Sequence, residues 1–117
     1  MPYLVVLQRL LQAVAGAQAA LLLDPLGEVV VEAGVHDDRH RLIAAYHGIA
    51  LAMVQRATER SDVGALHLIV CRYFWGAVIL RPLKDGYYLI VSLAPAASLA
   101  AGVHYSAHAQ QSLNAEI

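Results

Sequence analysis

Apolar positions between Leu21 and Gly34 fall in two runs, LLL and VVV, on either side of the block Asp24-Pro25-Leu26-Gly27. Asp24 can accept hydrogen bonds from the backbone of its own turn, Pro25 presets φ at the second turn position, and Gly27 tolerates positive φ. Val29, Val30 and Val31 are β-branched and favour an extended chain. The pattern predicts a hairpin with strands at 17–23 and 28–33. A phosphate-binding loop is the competing reading of the two glycines, and it fails on chemistry. Gly27 is followed by Glu28 rather than Lys and Ser/Thr, and no G-x-G-x-x-G run is present.

The rest of the chain alternates helical and strand periods. Leu4, Leu7, Leu11 and Val14 recur at helical spacing between Pro2 and about Ala15, where Gly16 ends the helix. Asp37 or Asp38 is a good N-cap for a long helix over 38–59. Leu42, Tyr46, Ile49 and Met53, with Ile43, Ala50 and Val54, give that helix a wide apolar face. Beside it runs a line of small residues, Ala45, Gly48 and Ala52, that permits close approach of another helix. Three strands follow at 65–73, 76–82 and 87–93, joined by turns near Trp75-Gly76 and at Lys84-Asp85-Gly86. Pro95 opens a last helix to about Leu113, with Leu99, Val103, Ala107, Gln110 and Leu113 on one face. Residues 1–117 therefore read as a single α+β domain. The strands are apolar on both sides, so the sheet needs helices on both faces.

Composition sharpens this picture. Hydrophobic residues make up 59% of the 117 and charged residues 15%, so the chain is more apolar and less charged than an average soluble domain. No run approaches the ~20 apolar residues of a spanning helix. The N-terminus lacks the basic region of a secretory signal, so the expectation is a cytoplasmic protein with no membrane insertion. Its excess apolar surface is then covered by another chain. A net charge of −1 with scattered arginines argues against nucleic acid. A single cysteine, Cys71, excludes an intramolecular disulfide. His104 and His108 share a helix face, but H-E-x-x-H would need Glu where Tyr105 stands. The HDDRH stretch, His36–His40, is better suited to starting a helix than to holding a metal. None of the serines lies in a Gly-x-Ser-x-Gly elbow. No catalytic residue, cofactor or metal is expected.

The block GAQAALLLDPLGEVVVEAG after an N-terminal helix, a long second helix, and a strand leading into GAVILRPLKDGYYLIVSLAP together resemble the Roadblock family. That family includes a class of dynein light chains and bacterial regulators of Ras-like GTPases. Profilin-like and longin-like domains share related architectures. The resemblance implies the order α-β-β-α-β-β-β-α, with a five-stranded antiparallel sheet sandwiched by helices. The second helix would lie on one face and the terminal helices on the other. It also implies a homodimer that pairs the third strands and packs the second helices side by side. The stretch ALHLIVC fits this, because it carries no charge from Ala65 to Cys71 and a bare edge of that kind needs cover. The expected dimer interface is Ala45, Gly48 and Ala52 on the helix with Ala65, His67, Ile69 and Cys71 on the strand. The expected docking residues for a Ras-like small GTPase are Arg39, His40, Arg41, His47, Gln55 and Arg56. Arg39, Arg41, Arg56 and Arg60 are candidates for an arginine finger. The function implied is a non-catalytic homodimeric regulator or scaffold, at most one that stimulates GTP hydrolysis by a partner. Two alternatives compete with it. One is a profilin-like small-molecule sensor with a cavity lined by Tyr46, Tyr73, Trp75, Tyr87 or Tyr88. The other is a purely structural dimerisation module.

Overall fold

The computed structural model describes residues 2–35 and 37–117. Its elements are α1 (Tyr3–Ala13), β1 (Ala17–Leu23), β2 (Val29–Gly34), α2 (Asp38–Ser61), β3 (Ile69–Tyr73), β4 (Gly76–Pro82), β5 (Tyr88–Leu93) and α3 (Leu99–Glu116). The five strands form one antiparallel sheet in the order β2-β1-β5-β4-β3. This is the α-β-β-α-β-β-β-α architecture that the sequence predicts.

Alternation along the strands builds two cores. Ala20, Leu22, Ile79, Leu89, Val91 and Leu93 face α1 and α3, where Leu7, Leu10, Val14, Ala109 and Leu113 close over them. Leu21, Leu23, Val78, Leu80, Tyr88 and Ile90 face the other way, where α2 supplies only Ala44 and Leu51 as buried residues. The first turn forms as its chemistry demands. The Leu26 and Glu28 amides donate to Asp24 Oδ1 at 2.9 and 3.0 Å, and Gly27 sits at φ 84°. At the start of α2, the His40 amide donates to Asp37 Oδ1 at 2.8 Å. No helix among the described residues is long and apolar enough to cross a membrane.

Two boundaries and two buried faces depart from the predicted ones. β3 begins at Ile69, so residues 63–68 lie outside any ladder. Continuing the pairing past Ile69↔Leu80 would run β3 along Arg81 and Pro82, and proline has no amide to donate. α3 begins at Leu99, because Pro95–Ala97 form a turn and Ser98 Oγ caps the helix by accepting from the Ala101 amide at 3.1 Å. Its buried line is Gly102, Ser106, Ala109 and Leu113 rather than the line through Val103 and Ala107. Gly102 sets that rotation, since a Cβ there would lie 2.8 Å from Ile79 Cδ1 and 2.9 Å from Leu93 Cδ1. In α1 the buried residues are Val6, Leu7 and Leu10, and Leu4 is exposed.

The Asp37 cap has a pH consequence. The backbone amide of His40, then its imidazole, holds the Asp37 carboxyl below its ordinary range. A lowered folded-state pKa stabilises α2 fully above the unfolded value of ~3.9, and that stabilisation is lost as pH falls through the folded value. Asp37→Ala is expected to lower the urea midpoint at pH 7, and to lower it less once the pH has fallen below the folded-state pKa of Asp37.

Candidate functional site

The second helix and the sheet edge beside it hold most of the residues that sequence reasoning singled out. α2 is fixed to the sheet from three directions. Beneath it, Gly48 lies against Tyr88, and a Cβ at this glycine would fall inside the tyrosine hydroxyl and ring. Burial raises the Tyr88 phenol above its ordinary pKa. On the β2 side, Arg41 Nε donates to both Glu32 oxygens at 3.1 and 3.2 Å, and Arg41 Nη1 donates to Asp38 at 3.2 Å. On the β3 side, His47 is held at both ring nitrogens, Nδ1 2.7 Å from Ile43 O and Nε2 2.7 Å from Tyr73 Oη. A carbonyl can only accept, so Nδ1 carries the proton and Nε2 accepts from the tyrosine. Tyr73 stacks on Trp75 with centroids 4.9 Å apart, and the Arg39 guanidinium lies 6.0 Å from the Trp75 ring.

These anchors decide which side of α2 faces outward. Leu42, Tyr46, Ile49 and Met53 are 57–63% exposed, a row of large apolar side chains on the open surface. Their spacing is four, three, four, and Arg56 and Arg60 continue it. A 3.5-residue repeat of this kind is the seam by which helices pack against one another. His47 marks the flank of α2 that faces β3, and Ile43, Ala50 and Val54 share it at helical spacing. Ala45, Gly48 and Ala52 occupy the opposite flank, where they line a cavity of about 260 Å³ with Pro25, Leu26, Gly27, Ile49, Arg56 and Tyr88.

Ala45, Gly48 and Ala52, expected at an inter-helix seam beside a paired third strand, lie on the side of α2 away from β3, where Gly48 accommodates Tyr88. β3 itself does sit at the sheet edge, carrying Ile69 and Cys71. Ala65 and His67 precede the strand, outside any ladder. Among the expected docking residues, Arg39 and Arg56 are exposed, and Arg41 is exposed but engaged by Glu32 and Asp38. His40 Nδ1 lies 2.7 Å from its capping partner Asp37. Gln55 is half-buried and lines a second cavity, with Thr58, Glu59, Asp62 and Gly64–Leu66. The aromatic residues proposed for a sensor cavity are dispersed. Tyr46 faces outward, Tyr73 and Trp75 stack at the β3–β4 turn, and Tyr87 packs on the α1/α3 core, away from Tyr88. The His104 and His108 rings lie edge to face at 4.9 Å, and among the described residues no group of three or more His, Cys, Asp or Glu comes together for a metal. His36 lies outside the described residues.

The architecture has close counterparts among solved structures. A Roadblock/LC7 domain from Streptomyces avermitilis superposes with a TM-score of 0.85, at 21% identity over 97% of this chain and 95% of that one. The fold is that of a Roadblock/LC7 domain. Gliding protein MglB from Thermus thermophilus matches the same Roadblock fold with a TM-score of 0.83 at 17% identity, covering 96% of this chain and 85% of that one. MglC from Myxococcus xanthus matches at 0.69 and 16% identity over all of both chains. No family model matches the sequence, and no curated protein does.

Sequence reasoning missed two residues of the Roadblock fold here. Arg81 is 5% exposed, with Nε donating to Ser106 Oγ at 3.0 Å, Nη2 to Val103 O at 2.7 Å and Nη1 to His67 O at 3.3 Å. It ties α3 and the residue 63–68 arm to β4, and burial lowers its pKa. Its signal was an arginine closing the apolar run GAVILR. The other is Phe74, 98% exposed at the tip of the β3–β4 turn.

Two substitutions test this geometry. Gly48→Ala gains about 1 kcal/mol of helix propensity, yet it is expected to destabilise by about 1–3 kcal/mol in denaturant, because α2 must lift off Tyr88. Arg81→Leu removes the donor to the His67 carbonyl. Unfolding should cost about 1–3 kcal/mol less, and amides of the 63–68 arm should exchange faster by hydrogen–deuterium mass spectrometry.

Proposed function

We propose that this chain is a non-catalytic, homodimeric regulator or scaffold that binds a small Ras-like GTPase. The observation that carries the reading is the outward row Leu42, Tyr46, Ile49 and Met53, left uncovered on a helix whose underside is already satisfied. Monomeric soluble proteins rarely leave a contiguous apolar strip of this size in water. The Roadblock fold and the sequence resemblance to regulators of Ras-like GTPases support the same reading.

Two surfaces divide the work. The first is the β3 edge with the neighbouring flank of α2, namely Ile43, His47, Ala50 and Val54. Pairing two β3 edges about a two-fold axis would extend the sheet and bring these flanks together. The uncharged run from Ala65 to Cys71 favours such pairing, since charge at an edge normally guards against it. The second surface is the outward row itself, doubled by the two-fold into one platform and fringed by Arg39, Arg56 and Arg60. A GTPase docked there would have its switch loops held in one arrangement, which shifts its hydrolysis rate by selecting a conformation rather than by adding a reacting group. Of the four candidate arginine fingers, Arg41 is engaged by two carboxylates, and Arg39, Arg56 and Arg60 keep exposed side chains.

Two variants separate the surfaces. Val54→Glu sets like charges on the apposed flanks and is expected to convert a species of twice 12.6 kDa into one of 12.6 kDa by light scattering. Ile49→Arg should leave that mass doubled while abolishing co-purification of a Ras-like GTPase from the native cell. A wild-type chain that is monomeric at micromolar concentration contradicts the dimer. Undiminished GTPase capture by Ile49→Arg contradicts the platform.

A further inference from the structure

β3 is flanked by an exposed aromatic residue at one end and by a half-buried apolar arm at the other, in which Leu66 packs on the α2-side core. At its C-terminal end is Phe74, 98% exposed, between the stacked rings of Tyr73 and Trp75. Before its N-terminal end runs the arm Val63-Gly64-Ala65-Leu66-His67-Leu68, uncharged apart from its histidine and without ladder partners. Five residues lie between Leu68 and Phe74, on the order of 20 Å along an extended strand, so the two features cannot meet within one chain. A two-fold axis through the strand brings them together twice, because in an isologous contact the head of each copy meets the tail of the other.

The faces of β3 restrict the register. Ile69 and Cys71 pack on the α2 side of the sheet, and Val70 packs on the α1/α3 side. Directly opposed residues of neighbouring strands share a face. For both α2 helices to lie on one side, the axis must pass through a residue rather than between two. Among the three interior residues of β3, Arg72 would set two guanidinium groups opposite each other, which is unfavourable. An axis at Cys71 sets Tyr73 opposite Ile69 of the partner subunit and brings Phe74, in the turn that follows, beside Leu68 of the partner subunit; an axis at Val70 brings it beside Leu66 of the partner subunit.

We infer that Phe74 is a self-recognition residue: it packs against the Leu66–Leu68 arm of a second copy of this chain and selects that copy over other exposed strand edges. The inference rests on the dimer proposed above. Main-chain pairing at a sheet edge reads almost no sequence, so discrimination must come from side chains flanking the ladder. An aromatic knob meeting a leucine arm at both ends of the ladder supplies it. Arg81 has a part in this site, because its bond to the His67 carbonyl holds the arm alongside β4.

The test uses the full-length chain in sedimentation equilibrium over a dilution series. Phe74→Ser and Leu68→Ser should each raise the dimer Kd about 10–100-fold, the loss typical of an interface hot spot. The far-UV circular dichroism should be unchanged, since Phe74 makes no packing contact in the lone chain. In a second readout, chains carrying Phe74→Cys and Cys71→Ser are mixed with chains carrying Leu68→Cys and Cys71→Ser, then oxidised. The expected product is a disulfide-linked pair of unlike chains, or the same product with Leu66→Cys if the axis lies at Val70. A wild-type dimer whose Kd neither serine variant changes, with no cross-link from either leucine position, overturns the inference and leaves the dimer intact. A wild-type monomer at micromolar concentration overturns the dimer itself.

Discussion

The rest of the molecule depends on how little of α2 is needed to cover its side of the sheet. Ala44, Gly48 and Leu51 form its underside, and Gly48 admits the edge of Tyr88 where any Cβ would collide. A helix seated this closely on small residues has no room beneath it for its large ones. Leu42, Tyr46, Ile49 and Met53 are therefore turned to the outside, while the polar groups Arg41 and His47 are spent on lateral anchors to β2 and β3. α1 and α3 behave in the opposite way on the far face, where they bring Leu7, Leu10, Val14 and Leu113 into a conventional core. The asymmetry between the two layers makes one face of this domain structural and the other available.

Much of this was legible from local chemistry. The Asp24–Gly27 turn, the Asp37 cap and the Lys84–Gly86 turn each depend on residues adjacent in sequence, and all formed where their side chains dictate. The strand runs were equally plain, because a sheet covered on both faces needs no alternation to interpret, only length and β-branching. Boundaries slipped where a distant residue decided them. β3 ends its pairing early because Pro82 stands across from it, and α3 rotates by one residue because Gly102 has to meet Ile79 and Leu93. Neither partner is near in sequence, so periodicity alone could not signal them.

The candidate surfaces were harder to read, for a specific physical reason. In a helical sequence a large apolar stripe normally marks the buried side and small residues mark a helix crossing. Here the large line meets solvent, and of the small line Gly48 meets the sheet, against Tyr88. That tyrosine lies in a strand, and no helical wheel contains it. His47 and Arg41, expected to lie off the apolar face, do so, and their hydrogen bonds to Tyr73 and Glu32 help set its direction.

That arrangement bears on movement as well as architecture. α2 buries only Ala44 and Leu51 on that face and adds a glycine contact, an ion pair and a histidine–tyrosine bond, so exposed groups carry much of its attachment. The ion pair and the imidazole bond lie on opposite flanks, so loosening one lets α2 roll about the Gly48–Tyr88 contact rather than detach. Any such movement would redirect the outward row Leu42, Tyr46, Ile49 and Met53 while leaving the α1/α3 core closed.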